Sequence, residues 1–557
     1  MKMNDALTKQ VFHFVKSLYD YGVHEIVISP GSRSTPVAIA CELHPKMKTY
    51  IHPDERSAAF YALGLMKATN KPVAVLCTSG TAASNYTPAV SECFISHMPL
   101  VVITSDRPHE LRNVGAPQAI NQVGMFSNFV QYERDFPIAD DTDESIQFID
   151  AVMMQSSRYF SGPMKGPVHF NIPFREPLMP DFELAEMMTI NPKVQVSYQK
   201  TFDVNTVKPI IRQEKGIIIV GDCQLEDLTQ ILVFSTIHNI PIIADPLSQI
   251  RDLKHPNVVT TGDSIFKVIK DIQPGYIIRV GNAVVSKAIN QWIKAQTAPQ
   301  ILIQPRIQPN TFPKVPDLFI EITANDFFRQ VAEEKPVNNQ SWIKFWHTLN
   351  DLVINHIMQH TQTIFDEGSA MYQIFKQIKK NEVIFLGNSM PIRDCDTFFT
   401  NFEGKPYCNR GANGIDGVVS TALGMSRHKK VTLIIGDISF FHDMNGLVMQ
   451  KMLSEYHHSH MINIVVMNNN GGGIFSYLPQ YEDKKHFERL FGTPLNLDFE
   501  HTAKLYDFKY KKFNVFDEIT LPKASGHIIE ITSDREENLK AHSALITTLK
   551  AKLNAEI

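Results

Sequence analysis

Short runs of consecutive apolar residues alternate with stretches whose apolar positions fall three and four apart along the whole chain. The runs read as strands buried on both faces, and the stretches as helices with one face turned inward. In the first region the strands fall at 25–29, 47–52, 73–77 and 99–104. One helix spans 4–21 with Asn4 as its cap, and another follows Asp54 as far as Lys67. Residues 186–205 are polar and aperiodic, and read as a linker. Further strands fall at 216–220, 241–244, 276–280, 300–304 and 317–321, and 336–365 reads as a helical connector holding Trp342, Trp346 and His347. The last region has strands at 382–386, 431–435, 461–467 and 528–532, with helices over 445–456 and 535–554. The expected fold class is α/β: three doubly wound domains with mainly parallel sheets, over 1–185, 206–335 and 366–557.

Composition narrows this little. A length of 557 residues suits about three domains. A net charge of −4 gives no reason to expect nucleic acid, and no apolar run approaches the ~20 residues of a membrane helix. Cys41, Cys77, Cys93, Cys223, Cys395 and Cys408 show no C-x-x-C spacing, so reduced thiols and a cytoplasmic location are expected, without a disulfide framework or zinc. Asp5, Lys9, Lys16 and Asp20 break up the first helix, which therefore does not read as a signal peptide. The middle region has no G-x-G-x-x-G fingerprint.

Chemistry collects where strands end. Gly436-Asp437-Ile438-Ser439 follows one apolar run, and Asn468-Asn469-Asn470-Gly471-Gly472-Gly473 follows the next. Ligands of parallel sheets bind at such carboxyl ends. A carboxylate, an amide oxygen and a backbone carbonyl make a hard-oxygen set suited to Mg²⁺ (or Mn²⁺), with phosphate and water completing the shell. Either half alone is ordinary turn sequence; the pair favours a metal–diphosphate site. Arg33, Arg107, Arg393 and Arg410 also fall in loops after strands. Singly each is a solvated arginine, whereas four in such loops suit carboxylate ligands. Glu55 lies in a helix first turn, a position the macrodipole alone favours.

The acidic residue of that early strand–helix turn, with the later Asp437 and Asn469, resembles the thiamine-diphosphate-dependent enzymes. The resemblance implies a pyrimidine domain, a central domain and a diphosphate domain. Ser29-Pro30-Gly31-Ser32-Arg33-Ser34, Asp54-Glu55-Arg56-Ser57-Ala58, Asp106-Arg107-Pro108, Gly387-Asn388-Ser389, Arg410-Gly411-Ala412 and Asn468-Asn469-Asn470-Gly471-Gly472 together resemble one branch of that family. That branch decarboxylates 2-oxoglutarate and adds the remaining succinyl unit to isochorismate in menaquinone biosynthesis. By resemblance, Glu55 and Ile415 are catalytic, one meeting the pyrimidine and the other propping the bent cofactor. Ser389, Gly436, Asp437, Ser439, Asn469 and Gly471 hold the diphosphate, with Asp437, Asn469 and the Gly471 carbonyl on the metal. Ser32, Arg33, Arg107, Gln118, Lys287, Arg393 and Arg410 surround the substrates. A homodimer or homotetramer with sites between subunits is implied. Two departures stand out: Ile438 where many relatives have Gly, and a spacing of 469 − 437 = 32 residues, longer than usual. The excess is expected in a surface loop at 455–460. Two rival readings are a simpler 2-oxoacid decarboxylase or acetolactate-type synthase, and a non-catalytic scaffold on the same fold.

Overall fold

The computed structural model describes every residue except 1–2, 141, 163, 188–200, 225, 307–308, 456–458 and 557. Most of the linker expected at 186–205, and the centre of the loop expected at 455–460, lie outside the described residues. Among the described residues there are three sheets of six strands, and every pairing is parallel. The alternation of strand runs with helical stretches dictates this, because parallel neighbours require crossover helices.

The first sheet holds Glu25–Ile28 (β1), Lys48–Ile51 (β2), Val73–Cys77 (β3), Leu100–Asp106 (β4), Tyr132–Asp135 (β5) and Val168–Pro173 (β6), in the order β2-β1-β3-β4-β6-β5. The second holds Gly216–Val220 (β7), Ile242–Ala244 (β8), Val258–Val259 (β9), Tyr276–Val280 (β10), Gln300–Ile303 (β11) and Leu318–Ile320 (β12), ordered β12-β11-β10-β7-β8-β9. The third holds Val383–Leu386 (β13), Lys405–Cys408 (β14), Val431–Gly436 (β15), Ile462–Asn468 (β16), Lys509–Asn514 (β17) and His527–Thr532 (β18), ordered β14-β13-β15-β16-β18-β17. In each sheet the strand order reverses next to a central strand, and the crevice at that switch point is where doubly wound folds bind ligands.

The chain forms two compact units. One comprises 1–199 with 409–429 and 442–461; the other comprises 200–408, 430–441 and 462–557. In the first unit the helix Glu55–Thr69 is buried continuously from Ser57 to Lys67. A helix apolar on all sides needs cover on all sides, and the helix Val418–Met425 supplies part of it. Their backbones nearly touch: a Cβ at Gly64 would lie 2.0 Å from the Thr421 carbonyl oxygen, and one at Gly424 would lie 2.0 Å from that of Tyr61. The first helix is described over Met3–Asp20, and the side chain of Asn4, expected as its cap, lies outside the described residues.

In the second unit the connector is a helix, Gln340–Thr363, with Trp346 fully buried and the Trp342 indole donating to the Gly216 carbonyl at 2.9 Å. The buried Arg251 donates from Nε to Ala244 O at 2.8 Å and from Nη2 to Asp396 Oδ1 at 2.5 Å, tying the second sheet to a helix of the third. Removing one partner of such a buried pair typically costs about 3–5 kcal/mol. No described helix is long and apolar enough to cross a membrane.

Candidate active site

In the second unit β15 and β16 pair in register, with Gly436 opposite Met467. Asp437 and Asn469 therefore leave the sheet side by side at the carboxyl ends of two central strands. Asp437 begins a helix at once, Asp437–Asp443, where the sequence suggested helical structure only from 445. Its Oδ2 accepts the Gly471 N–H at 2.8 Å, which closes the two strand ends onto each other. Gly471 has φ +148°, and a Cβ there would lie 2.2 Å from Gly492 O, so glycine is required. The next amide, Gly472 N–H, donates to that same Gly492 carbonyl at 2.7 Å.

The Asn469 Nδ2 donates to Glu367 Oε1 at 2.8 Å, while Asn469 Oδ1 is buried and has no donor among the described residues. Burial pushes the Asp437 carboxyl up to about 6. Burial, then the charge of Asp394, pushes Glu367 up to about 7. Buried acids with raised pKa beside a buried amide oxygen fit a hard divalent cation. Among the described residues no three His, Cys, Asp or Glu side chains cluster as a metal cage.

At the neighbouring strand end, Ser389 follows β13 with φ +74° and occupies the position just before the helix Met390–Phe398. A non-glycine residue held in that region is strained, as groups at ligand sites often are. The Arg393 guanidinium reaches back one turn to donate to the Ser389 carbonyl. Ser439 is buried on the helix after Asp437, and a Cβ at Gly436 would meet nothing within 4 Å, leaving the backbone open to a ligand. Arg535, unmarked in the sequence, joins this end: it lowers the Asp437 pKa, and its Nη1 is buried without an acceptor. Lys287 is in the same unit but belongs to the second sheet, as the first residue of the helix Lys287–Ala295 after β10.

In the first unit Asp54 Oδ1 accepts the Ser57 N–H at 3.1 Å, and its other oxygen accepts from the Asn445 amide. This fixes the first turn that carries Glu55, which is half-buried, less covered than a core acid. Burial raises its pKa, and the neighbouring Asp54 adds to this. Asp443, also missed in the sequence, is fully buried, accepts the Ser420 N–H at 2.7 Å and is pushed by burial up to about 6.

Ser32 is exposed, but Arg33 beside it is buried and committed, donating to Phe174 O at 2.9 Å and to Glu176 Oε1 at 3.2 Å. Arg107 follows β4 and donates to Pro117 O at 3.1 Å. Gln118, with φ +56°, exchanges hydrogen bonds with Ser79 after β3, at 2.9 and 3.2 Å. These loops leave β1, β3 and β4, which are adjacent strands, so one sheet end gathers Ser32, Arg33, Arg107 and Gln118. Arg410 and Ile415 lie on the 409–417 loop of the same unit, and Ile415 is exposed. No sequence signal marks Glu367, Glu92 or His542, whose partners lie far away along the chain.

Residues 9–125 match the family model described as thiamine pyrophosphate enzyme, N-terminal TPP binding domain, and 190–386 match the middle domain of thiamine pyrophosphate. The chain is 52% identical, over 100% of both chains, to proteins of Staphylococcus haemolyticus and Staphylococcus epidermidis, each named 2-succinyl-5-enolpyruvyl-6-hydroxy-3-cyclohexene-1-carboxylate synthase. It is also 52% identical to the Staphylococcus aureus protein of that name, over 99% of this chain and 98% of the relative. The chain belongs to the 2-succinyl-5-enolpyruvyl-6-hydroxy-3-cyclohexene-1-carboxylate synthase family of thiamine pyrophosphate enzymes.

Proposed function

We propose that this chain is a transferase that decarboxylates 2-oxoglutarate and joins the succinyl remnant to isochorismate, giving 2-succinyl-5-enolpyruvyl-6-hydroxy-3-cyclohexene-1-carboxylate for menaquinone synthesis. The observation that carries the site is the buried Asn469 Oδ1, which has no donor among the described residues, next to the buried Asp437 at the carboxyl ends of paired strands. Bound thiamine diphosphate supplies the electron sink that makes loss of CO₂ from a 2-oxo acid possible. The protein's part is to bind, orient and move protons. Asp437, Asn469 and the Gly471 carbonyl would hold Mg²⁺ (or Mn²⁺), and Gly436, Ser389 and Ser439 would meet the diphosphate. Glu55, its proton affinity raised by burial, would share a proton with the pyrimidine ring, and Ile415 would support the cofactor.

Both substrates are dicarboxylates, which suits Arg107, Arg393, Arg410 and Lys287 as their anchors, with Ser32 and Gln118 as neutral donors. Arg33, already engaged internally, orders its loop and offers what remains of its guanidinium. The assembly proposed is a cytoplasmic homodimer or homotetramer with neither nucleic acid nor membrane as partner.

The test supplies purified protein with thiamine diphosphate, Mg²⁺ and 2-oxoglutarate, with and without isochorismate. The expected product has the summed mass of the two substrates less CO₂, and forms only when both are present. Full-rate CO₂ release without isochorismate would mark a simple decarboxylase, and absence of turnover a non-catalytic scaffold.

A further inference from the structure

A carboxamide has two ends of nearly the same shape and opposite chemistry, and only the oxygen can meet a cation. Nothing in the backbone at Asn469 chooses between them. The choice is made by a residue far away in sequence. Glu367, 2% exposed in the first turn of the helix Glu367–Phe375, places Oε1 2.8 Å from Asn469 Nδ2. The same oxygen accepts the Ser533 hydroxyl at 2.6 Å. With two donors converging on it, Oε1 is an acceptor whatever the state of the other oxygen. Glu367 is itself held: the helix has a reciprocal Asp366–Ser369 capping box, and the Glu367 N–H donates to Asn538 Oδ1 at 3.1 Å. The opposite end of the Asn469 amide, Oδ1, is buried without a partner. Turning the amide over would set two acceptor oxygens against each other and point an –NH₂ group where Oδ1 now points.

We propose that Glu367 is a positioning residue that fixes the orientation of the Asn469 amide and so presents Oδ1 to the divalent cation. This rests on the reading of Asn469 as a metal ligand. Outer partners of metal ligands typically contribute 10–100-fold to metal affinity. Their role here is directional: any acceptor at the Oε1 position serves, and a side chain of equal length without one does not.

The experiment titrates Mg²⁺ by calorimetry into the full-length protein saturated with thiamine diphosphate, without substrate, and records each variant's metal-free melting midpoint. E367M is expected to weaken Mg²⁺ binding by about 10–100-fold. E367Q, whose amide oxygen can occupy the Oε1 position, is expected to stay within about three-fold of wild type on the same reasoning. N469D should bind weakly because two carboxylate oxygens then face each other, and adding E367Q, whose amide can rotate to donate, should restore at least about ten-fold. That rescue keeps the inference testable if E367M does not fold, and a merely structural role for Glu367 would not produce it. Unchanged Mg²⁺ binding in E367M, E367Q as weak as E367M, or no rescue in the double variant would each overturn the inference. Wild-type binding in N469A would instead remove the metal reading beneath it.

Discussion

Glu92 grips the Gly411 amide: its Oε1 accepts the Gly411 N–H at 2.8 Å, and its Oε2 accepts the next amide, Ala412 N–H, at 2.6 Å. The carboxylate is 2% exposed, and a Cβ at Gly411 would lie 2.6 Å from the Glu92 carbonyl oxygen. One side chain thus clamps the loop that carries Arg410 and Ile415. Substituting alanine leaves two amides without their acceptor, at about 1–3 kcal/mol for each buried orphan. E92A is expected to lose about 3 kcal/mol of stability, to raise KM because Arg410 loses its seat, and to lower kcat because the same loop carries Ile415. Denaturant melts and steady-state kinetics check this. A wild-type KM in a destabilised E92A would confine Glu92 to the fold.

Glu55 is held at the head of its helix by Asp54 and Asn445, and burial raises its pKa. E55Q keeps the shape and loses the exchangeable proton, and proton-transfer groups contribute about 10²–10⁴-fold. A fall in kcat of that size is expected, with an unchanged melting midpoint and nearly unchanged cofactor affinity. Near-normal turnover in E55Q would end this role.

The places where the sequence misled share a physical cause. β5, β14 and β17 are edge strands with polar or proline-bearing sequences, YERD, KPYC and KYKKFN, and an edge needs no apolar run. β6 is wholly buried, yet His169 and Asn171 interrupt its apolar pattern because Thr104 satisfies them, each at 2.8 Å. That Asp437, Asn469 and Gly471 come together at one sheet end was legible because two apolar runs fix where the chain leaves the sheet. Glu367 was not, since its tie to Asn469 spans 102 residues and no local pattern encodes it. The stretch at 455–460, expected as a surface loop, ends in a core residue. His460 is buried, bonded to Tyr61 at 3.1 Å and Gln450 at 3.2 Å, and burial pushes its pKa down to about 3.

Among the glycines at the proposed metal site, Gly471 is the most tightly packed. G471A must place a Cβ 2.2 Å from Gly492 O at φ +148°, so the loop has to move. Strained backbone of this kind costs about 1–3 kcal/mol before the clash is counted. Displacement would also break the 2.8 Å bond to Asp437. G471A and D437A are therefore both expected to lose Mg²⁺-dependent binding of thiamine diphosphate in calorimetry, G471A with a lower melting midpoint as well. Wild-type binding by D437A would refute the metal assignment.

His542 sets the sign of one pH dependence. Burial alone would lower its pKa, but the hydrogen bond and charge of Asp394, 2.9 Å from Nε2, with Asp366 3.6 Å from Nδ1, push it up to about 9. A folded pKa above the unfolded value near 6.5 means that the folded state holds the proton more tightly. The stabilisation is therefore complete below about pH 6.5 and disappears as the pH rises through about 9, and it is worth about 3 kcal/mol. H542Q should melt well below wild type at pH 6, and the gap should close by about pH 10 as the wild-type imidazole loses its charge. Melting curves of both proteins across this range decide the matter. A gap that stays constant would show that His542 acts through packing and neutral hydrogen bonds, and that its charge between Asp394 and Asp366 contributes nothing.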